Sequence, residues 1–250
     1  MNRTETIRHV LLDIEGTTCP IHFVSEVLFP YASQQLLPFL TEHQSEAAIQ
    51  SLLKEVQEAL ASDPSPEAIA LHATTTKDTD PESLPLQTLC NYLAWLIKTD
   101  RKVTALKDLQ GMIWEEGYQR GELIAPLFAD VPKALAEWHD KGIGLSVYSS
   151  GSVHAQKLLY AHSEFGDLSH LFSHWFDTRT GPKNIASSYE RIARFLQTNP
   201  KEILFISDAV AELEAASNAK MAVRFSKRAN NPQQDAKGFP TVEDYGTLSL

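Results

Sequence analysis

With 250 residues, the chain has room for one large domain or two modest ones, each with an ample core. Acidic residues outnumber basic ones 32 to 22, a formal net charge of -10. That balance argues against a nucleic-acid surface, yet it allows an anionic small substrate at a locally positive site. The two cysteines, Cys19 and Cys90, lie far apart in no metal-ligand spacing and fit a reducing compartment. The polar start from Met1 to Arg8 has no apolar leader core, and no apolar run reaches the length of a membrane helix, so a cytoplasmic protein is expected.

In chain order, the first element is the apolar run Val10 to Leu12, a short strand of the kind buried on both faces. It ends in Asp13-Ile14-Glu15-Gly16-Thr17-Thr18. A helical segment through Val27, Leu28 and Phe29 follows, punctuated by Pro30 and Pro38. Ile49, Leu52, Leu53, Val56 and Leu60 recur at helical spacing and predict a helix from about Ser45 to Ala61, which Asp63-Pro64-Ser65-Pro66 stops. The threonine-, acid- and proline-rich stretch from Ala73 to Pro85 reads as a loop. Helices are predicted again at about Leu86 to Lys98 and from Leu106 to about Glu122.

At Pro126 the pattern changes. Asp130 is expected to cap a helix carrying Val131, Leu135 and Trp138 and ended by Gly142. The strand Ile143 to Tyr148, the turn Ser149 to Ser152 and a helix from Val153 to about His162 follow. Leu171 to Phe176 reads as a short strand, and Asn184 to Leu196 as a helix. Ile203 to Ile206 reads as a strand ending in Ser207-Asp208, Val210 to Ala219 as a helix, and Met221 to Phe225 as the last strand. The polar tail from Ser226 receives no assignment. Alternating helices and buried strands imply an α/β fold, a Rossmann-like parallel sheet with helices on both faces. The opening strand must join that sheet, because a lone strand cannot satisfy its edges. The expected organisation is therefore a core from residues 1–20 and 126–250 with an all-helical cap, 21–125, inserted after the first strand.

Ligands bind at the carboxyl ends of parallel strands, so Asp13 and Glu15 lie where chemistry is usually done. At positions i and i+2 of extended chain they point the same way. One carboxylate can attack phosphorus, while the other gives a proton to the leaving oxygen and later takes one from water. Three further groups fall at the carboxyl sides of later strands. Ser149 and Ser150 open a helix and could hold phosphate oxygens. Lys183 could balance a phosphoryl dianion. Asp208 with Asp13 supplies two carboxylates for a hard cation, and Glu212 faces the same side as Asp208, placed to orient Lys183 or a metal-bound water.

A carboxylate pair, a hydroxyl, a lysine and an acidic strand end, in that order, resemble the motif series of the haloacid dehalogenase superfamily. Asp13 to Thr18, Tyr148 to Leu159 and Trp114-Glu115-Glu116-Gly117-Tyr118 look like the enolase-phosphatases of methionine salvage. The resemblance implies conversion of 2,3-diketo-5-methylthiopentyl 1-phosphate to the acireductone by enolisation and then dephosphorylation, with Mg2+. It implies Asp13 as nucleophile and metal ligand, and Glu15 as general acid/base and a metal ligand through its backbone oxygen. It further implies Ser149, Ser150 and Lys183 as substrate-binding residues and Asp208 as a metal ligand. Glu15 stands where the broader superfamily usually has aspartate, a feature of the enolase-phosphatase branch. A monomer acting on a small phosphate ester, with no nucleic-acid or membrane partner, is the corresponding expectation.

The alternatives are another Mg-dependent small-molecule phosphatase, a 2-haloacid dehalogenase, which needs neither Glu15 nor Asp208, or a catalytically silent phosphate-binding module. Cys19 reads as an inert buried thiol, Trp114 and Tyr118 as packing of the helical region, and His170 with His174 as a surface pair.

Overall fold

The computed structural model of the protein describes residues 6–75, 84–101 and 103–250. The strands are β1 (His9–Leu12), β2 (Gly144–Tyr148), β3 (His174–Phe176), β4 (Ile203–Ser207), β5 (Ala222–Ser226) and β6 (Thr241–Val242). They make one sheet of order β3-β2-β1-β4-β5-β6, and every pairing is parallel. The helices are α1 (Phe29–His43), α2 (Ala47–Ser62), α3 (Pro66–Thr75), α4 (Leu86–Lys98), α5 (Thr104–Gln119), α6 (Val131–Asp140), α7 (Val153–Ala161), α8 (Ala186–Phe195) and α9 (Val210–Asn218).

The chain divides into two compact units, Met1–Phe23 with Gly121–Leu250, and Val24–Arg120. In the first, β1 is a central strand of the sheet. Leu12 pairs with Val147 on one side and Ile206 on the other. All of β1 is buried, which explains why its sequence lacks the alternation of a half-exposed strand. Leu11, Phe205, Val223 and Phe225 form a cluster with Tyr189 and Ile192 of α8 and Leu213 and Ala216 of α9. Burying a side chain the size of Leu11 or Phe205 contributes about 1.5–3 kcal/mol. Alternation turns Val10, Leu12 and Ile206 to the opposite face. α6, whose buried Val131, Leu135 and Trp138 lie outside that cluster, packs against β2. The fold is the expected parallel sheet with helices on both faces. Strand order reverses between β1 and β4, so the carboxyl ends of these two strands flank the crevice in which open parallel sheets bind ligands.

The second unit is helical. Ile49, Leu52, Val56 and Leu60 of α2 are buried at the predicted spacing. Trp114 stacks on Phe29 with ring centroids 6.5 Å apart, and its indole N–H donates to the Leu28 carbonyl at 2.9 Å, so it packs the interior of this unit. Tyr118 is buried as well.

Several local expectations are corrected. The helix before Asp63 stops as expected, at Ser62, but Pro66 then starts a further helix, α3, that was not expected: proline costs nothing in a first turn, whose N–H groups lack partners anyway. The Ser65 hydroxyl accepts the Ala68 N–H at 3.4 Å. α3 extends to Thr75, and the rest of the expected loop, 76–83, lies outside the described residues. α1 runs through Pro38, because buried Leu36, Phe39 and Leu40 on either side anchor it. Asp130 sits at the N-cap of α6 without capping it. Its carboxylate instead takes Arg228 Nη1 at 2.9 Å on both oxygens and the Tyr245 N–H at 2.7 Å. The strand expected from Leu171 begins at His174, since Ser169–Leu171 form a 3-10 turn. The unassigned tail supplies β6.

Candidate active site

The site grows from the end of β1. Asp13 continues the sheet by one residue, its N–H donating to the Ile206 carbonyl at 3.0 Å. The chain then turns tightly, with the N–H groups of Thr17, Thr18 and Cys19 all meeting the Ile14 carbonyl within 3.1 Å. Gly16 sits at φ 68° inside this turn, and a Cβ there would run into the side chains of Asp208 and Asn231. Only glycine meets both conditions.

Asp13 is 6% exposed. Its Oδ1 accepts Lys183 Nζ at 2.6 Å and the Ile14 N–H at 2.8 Å. The Ser207 hydroxyl lies 3.2 Å from Oδ2 and 2.9 Å from Glu212 Oε2, so its one proton serves either carboxylate. Lys183 comes from the loop after β3, 8% exposed, and also meets Glu212 Oε2 at 2.8 Å. Two buried tyrosines fix that loop: Tyr148 donates to the Gly181 carbonyl at 2.8 Å and Tyr189 to the Lys183 carbonyl at 2.7 Å. Lys183 also lies over the Tyr148 ring, 5.8 Å from its centroid.

Burial works against the Lys183 ammonium, but Asp13 and Glu212 outweigh it and hold its pKa above the usual lysine value. The carboxylates behave differently. Burial, then the charge of Asp13, pushes Asp208 up to about 7, Lys183 offsetting only part of the rise and Glu15 adding to it. The same two causes bring Glu212 to about 7. One ammonium thus faces more carboxylate charge than it can neutralise.

That imbalance tests whether a cation fits. Among the described residues no three His, Cys, Asp or Glu side chains converge on a metal position. Asp13 and Asp208 offer two carboxylates, hard-oxygen donors suited to an ion that keeps several waters. Two under-neutralised carboxylates beside a crevice fit Mg2+.

The structure brings Asp13, Lys183, Asp208 and Glu212 together, and of the roles considered for Glu212 it has the contact with Lys183. Glu15 follows in the same turn, part-buried, bridged to Cys19 through the turn backbone. Ser149 directly follows β2 at the same edge, its N–H on the Phe176 carbonyl at 3.1 Å and its hydroxyl accepting the Gly151 N–H at 3.3 Å. Ser149 is buried and Ser150 exposed. Cys19 is fully buried, and burial foremost raises its thiol pKa far above the ordinary range, as an inert thiol requires. His170 is exposed, while His174 is half-buried between the rings of Phe176 and Phe195. Sequence reasoning missed Asn231, whose amide donates to the Gly16 carbonyl at 2.8 Å and to Asp208 Oδ2 at 3.0 Å. It also passed over Ser207, whose place beside Asp208 at a strand end was the available signal.

Comparison with known proteins identifies the family. The family model described as haloacid dehalogenase-like hydrolase matches residues 7–220. Enolase-phosphatase E1 of Parasynechococcus marenigrum (strain WH8102) is 48% identical over 95% of this chain and 96% of its own length. Enolase-phosphatase E1 of Synechococcus elongatus is 42% identical over 97% of this chain and 98% of its own. Among solved structures, the UTR4 protein of Saccharomyces cerevisiae superposes with a TM-score of 0.70 at 30% identity, covering 97% of this chain and 100% of that one. CbbY of Rhodobacter sphaeroides, at 17% identity and a TM-score of 0.56, covers 97% of this chain and 96% of its own and shares the fold. The chain belongs to the haloacid dehalogenase-like hydrolases and, within them, to the enolase-phosphatase E1 family.

Proposed function

We propose that the protein is the enolase-phosphatase of methionine salvage, an acireductone synthase that enolises 2,3-diketo-5-methylthiopentyl 1-phosphate and then removes its phosphate. The observation that carries this reading is the buried Asp13–Lys183 pair, at 2.6 Å, in the β1/β4 crevice of a chain that matches enolase-phosphatases along nearly its whole length.

Asp13 is the nucleophile. Lys183 and the Ile14 N–H both hold Oδ1, whereas Oδ2 has only the shared Ser207 hydroxyl, so Oδ2 is the freer oxygen for in-line attack on phosphorus. As the new O–P bond forms, the ester P–O bond breaks, and Glu15 gives its proton to the leaving oxygen. Glu15 then takes a proton from the water that attacks the aspartyl phosphate, releasing phosphate and restoring Asp13. Lys183 offsets charge on the phosphoryl oxygens, and Ser149 and Ser150 orient them. Asp13, Asp208 and the backbone oxygen of Glu15 would hold Mg2+, which when bound supplies positive charge for the phosphoryl group and for the enolising carbonyl. The helical unit is inserted in the chain soon after the Asp13 turn, the organisation expected of a cap domain.

The test is incubation of purified protein with the diketo phosphate, following enol absorbance and inorganic phosphate separately. Two successive signals are expected, with phosphate release lost in Asp13→Asn. Phosphate release without a preceding enol signal, or equal turnover of unrelated phosphomonoesters, would assign a different phosphatase.

A further inference from the structure

We propose that Asn231 is a positioning residue for the cation site, locking the Asp208 carboxylate and the Gly16 turn to each other; the inference rests on the reading of Asp208 as a cation ligand. Asn231 lies in the tail, beyond the residues matched by the family model, and is 6% exposed. Both amide protons are in use, one on the Gly16 carbonyl at 2.8 Å and one on Asp208 Oδ2 at 3.0 Å. The Gly16 carbonyl can only accept, so the amide nitrogen must face it, and that sets the amide's orientation toward Asp208. A neutral donor satisfies one carboxylate oxygen, fixes the carboxylate plane and leaves the other oxygen for an ion, without adding a positive charge that would repel that ion.

The support behind Asn231 is itself anchored. Its carbonyl accepts Gln234 Nε2 at 2.6 Å, and Gln234 also reaches the Arg228 carbonyl at 3.0 Å. The Arg228 guanidinium lies 4.4 Å from the ring centroids of both Phe128 and Tyr245 and donates to the Thr17 carbonyl at 3.3 Å. The tail therefore grips the turn at Gly16 and Thr17 and the end of β4 together. Gly16 without a Cβ is what lets Asp208 and Asn231 meet above it.

Ser226 supplies a control inside the same structure. Its hydroxyl donates to the same Gly16 carbonyl at 3.2 Å, but no bond runs from it to Asp208. The experiment is calorimetric titration of Mg2+ into the full chain in four forms: wild type, Asn231→Ala, Asn231→Leu and Ser226→Ala. Leucine refills the space of the amide without its donors, in case alanine leaves a void the fold does not tolerate. Both Asn231 variants are expected to weaken Mg2+ binding about tenfold or more, while Ser226→Ala stays within about twofold. Phosphate release by the Asn231 variants recovers toward the wild-type rate as Mg2+ is raised. Unchanged Mg2+ affinity in the Asn231 variants overturns the proposal. So does an equal loss in Ser226→Ala, which would mean general support of the turn, or loss of the folded state in both Asn231 variants. Absence of Mg2+ binding by the wild type would instead overturn the reading of Asp208 and carry this inference down with it.

Discussion

Two buried carboxylate clusters, one in each unit, show what separates a structural charge from a functional one. Asp63, after α2, accepts the Ser65 N–H at 2.9 Å, the Tyr92 hydroxyl at 2.9 Å and Arg101 Nη1 at 2.7 Å. Burial alone would raise its pKa, yet the bonds from Ser65, Tyr92 and Arg101 bring it down to about 2. Asp208 is part-buried, but it feels the like charges of Asp13 and Glu15, with Lys183 already committed to Asp13 and Glu212, and it rises to about 7. In the helical unit the protein neutralises its own charge. At the sheet edge it leaves charge over, and that surplus is what a cation bound with a phosphate ester would take up.

Substitutions that remove one member of either cluster should break this contrast by very different amounts. The largest effect is expected from Asp13→Asn, which keeps shape but not nucleophilicity: phosphate release should fall about a thousandfold or more, with circular dichroism unchanged. Lys183→Met should lower kcat about a hundredfold and, by leaving buried carboxylates unpaired, cost about 3 kcal/mol in denaturant titration. Asp63→Asn should cost about 1–3 kcal/mol of stability through weakened bonds to Tyr92 and Arg101, while the folded fraction keeps its rate of phosphate release. A strong loss of activity there would erase the distinction between the clusters.

The smallest effect has opposite signs at the two aspartates. Because Asp63 falls from 3.8 to about 2, its stabilisation is present above the unfolded pKa and disappears as pH falls through about 2. Because Asp208 rises from 3.8 to about 7, the folded state without metal holds the extra proton between those values, and stability falls as pH rises across them. Metal-free Asp208→Asn should therefore be more stable than wild type by about 1 kcal/mol at pH near 8, a gain that vanishes near pH 4. Thermal melts over pH check both signs.

Most of the sheet was legible because β1, β2 and β4 are short, mostly apolar segments with a reactive residue at or just past the carboxyl end of each. The candidate residues Asp13, Lys183 and Asp208 could be found for the same reason: parallel strands deliver their ends to one edge. What stayed hidden had no period to announce it. β6 is two residues long, Asn231 lies in an irregular turn, and Asp130 has the right residue type for a cap but is engaged by Arg228 from nearly a hundred positions away. The prolines after α2 were read correctly as its stop, but Pro66 also opens the next helix, which that reading left out.

The central claim, that the Asp13 carboxylate at the end of β1 attacks phosphorus, is tested most directly by trapping the covalent enzyme. During turnover of the diketo phosphate with Mg2+, acid quenching followed by peptide mass spectrometry should find one phosphoryl group on the peptide containing Asp13 and none in Asp13→Asn. Steady phosphate release with no phosphoryl group on that peptide, or with the label on another residue, would contradict it.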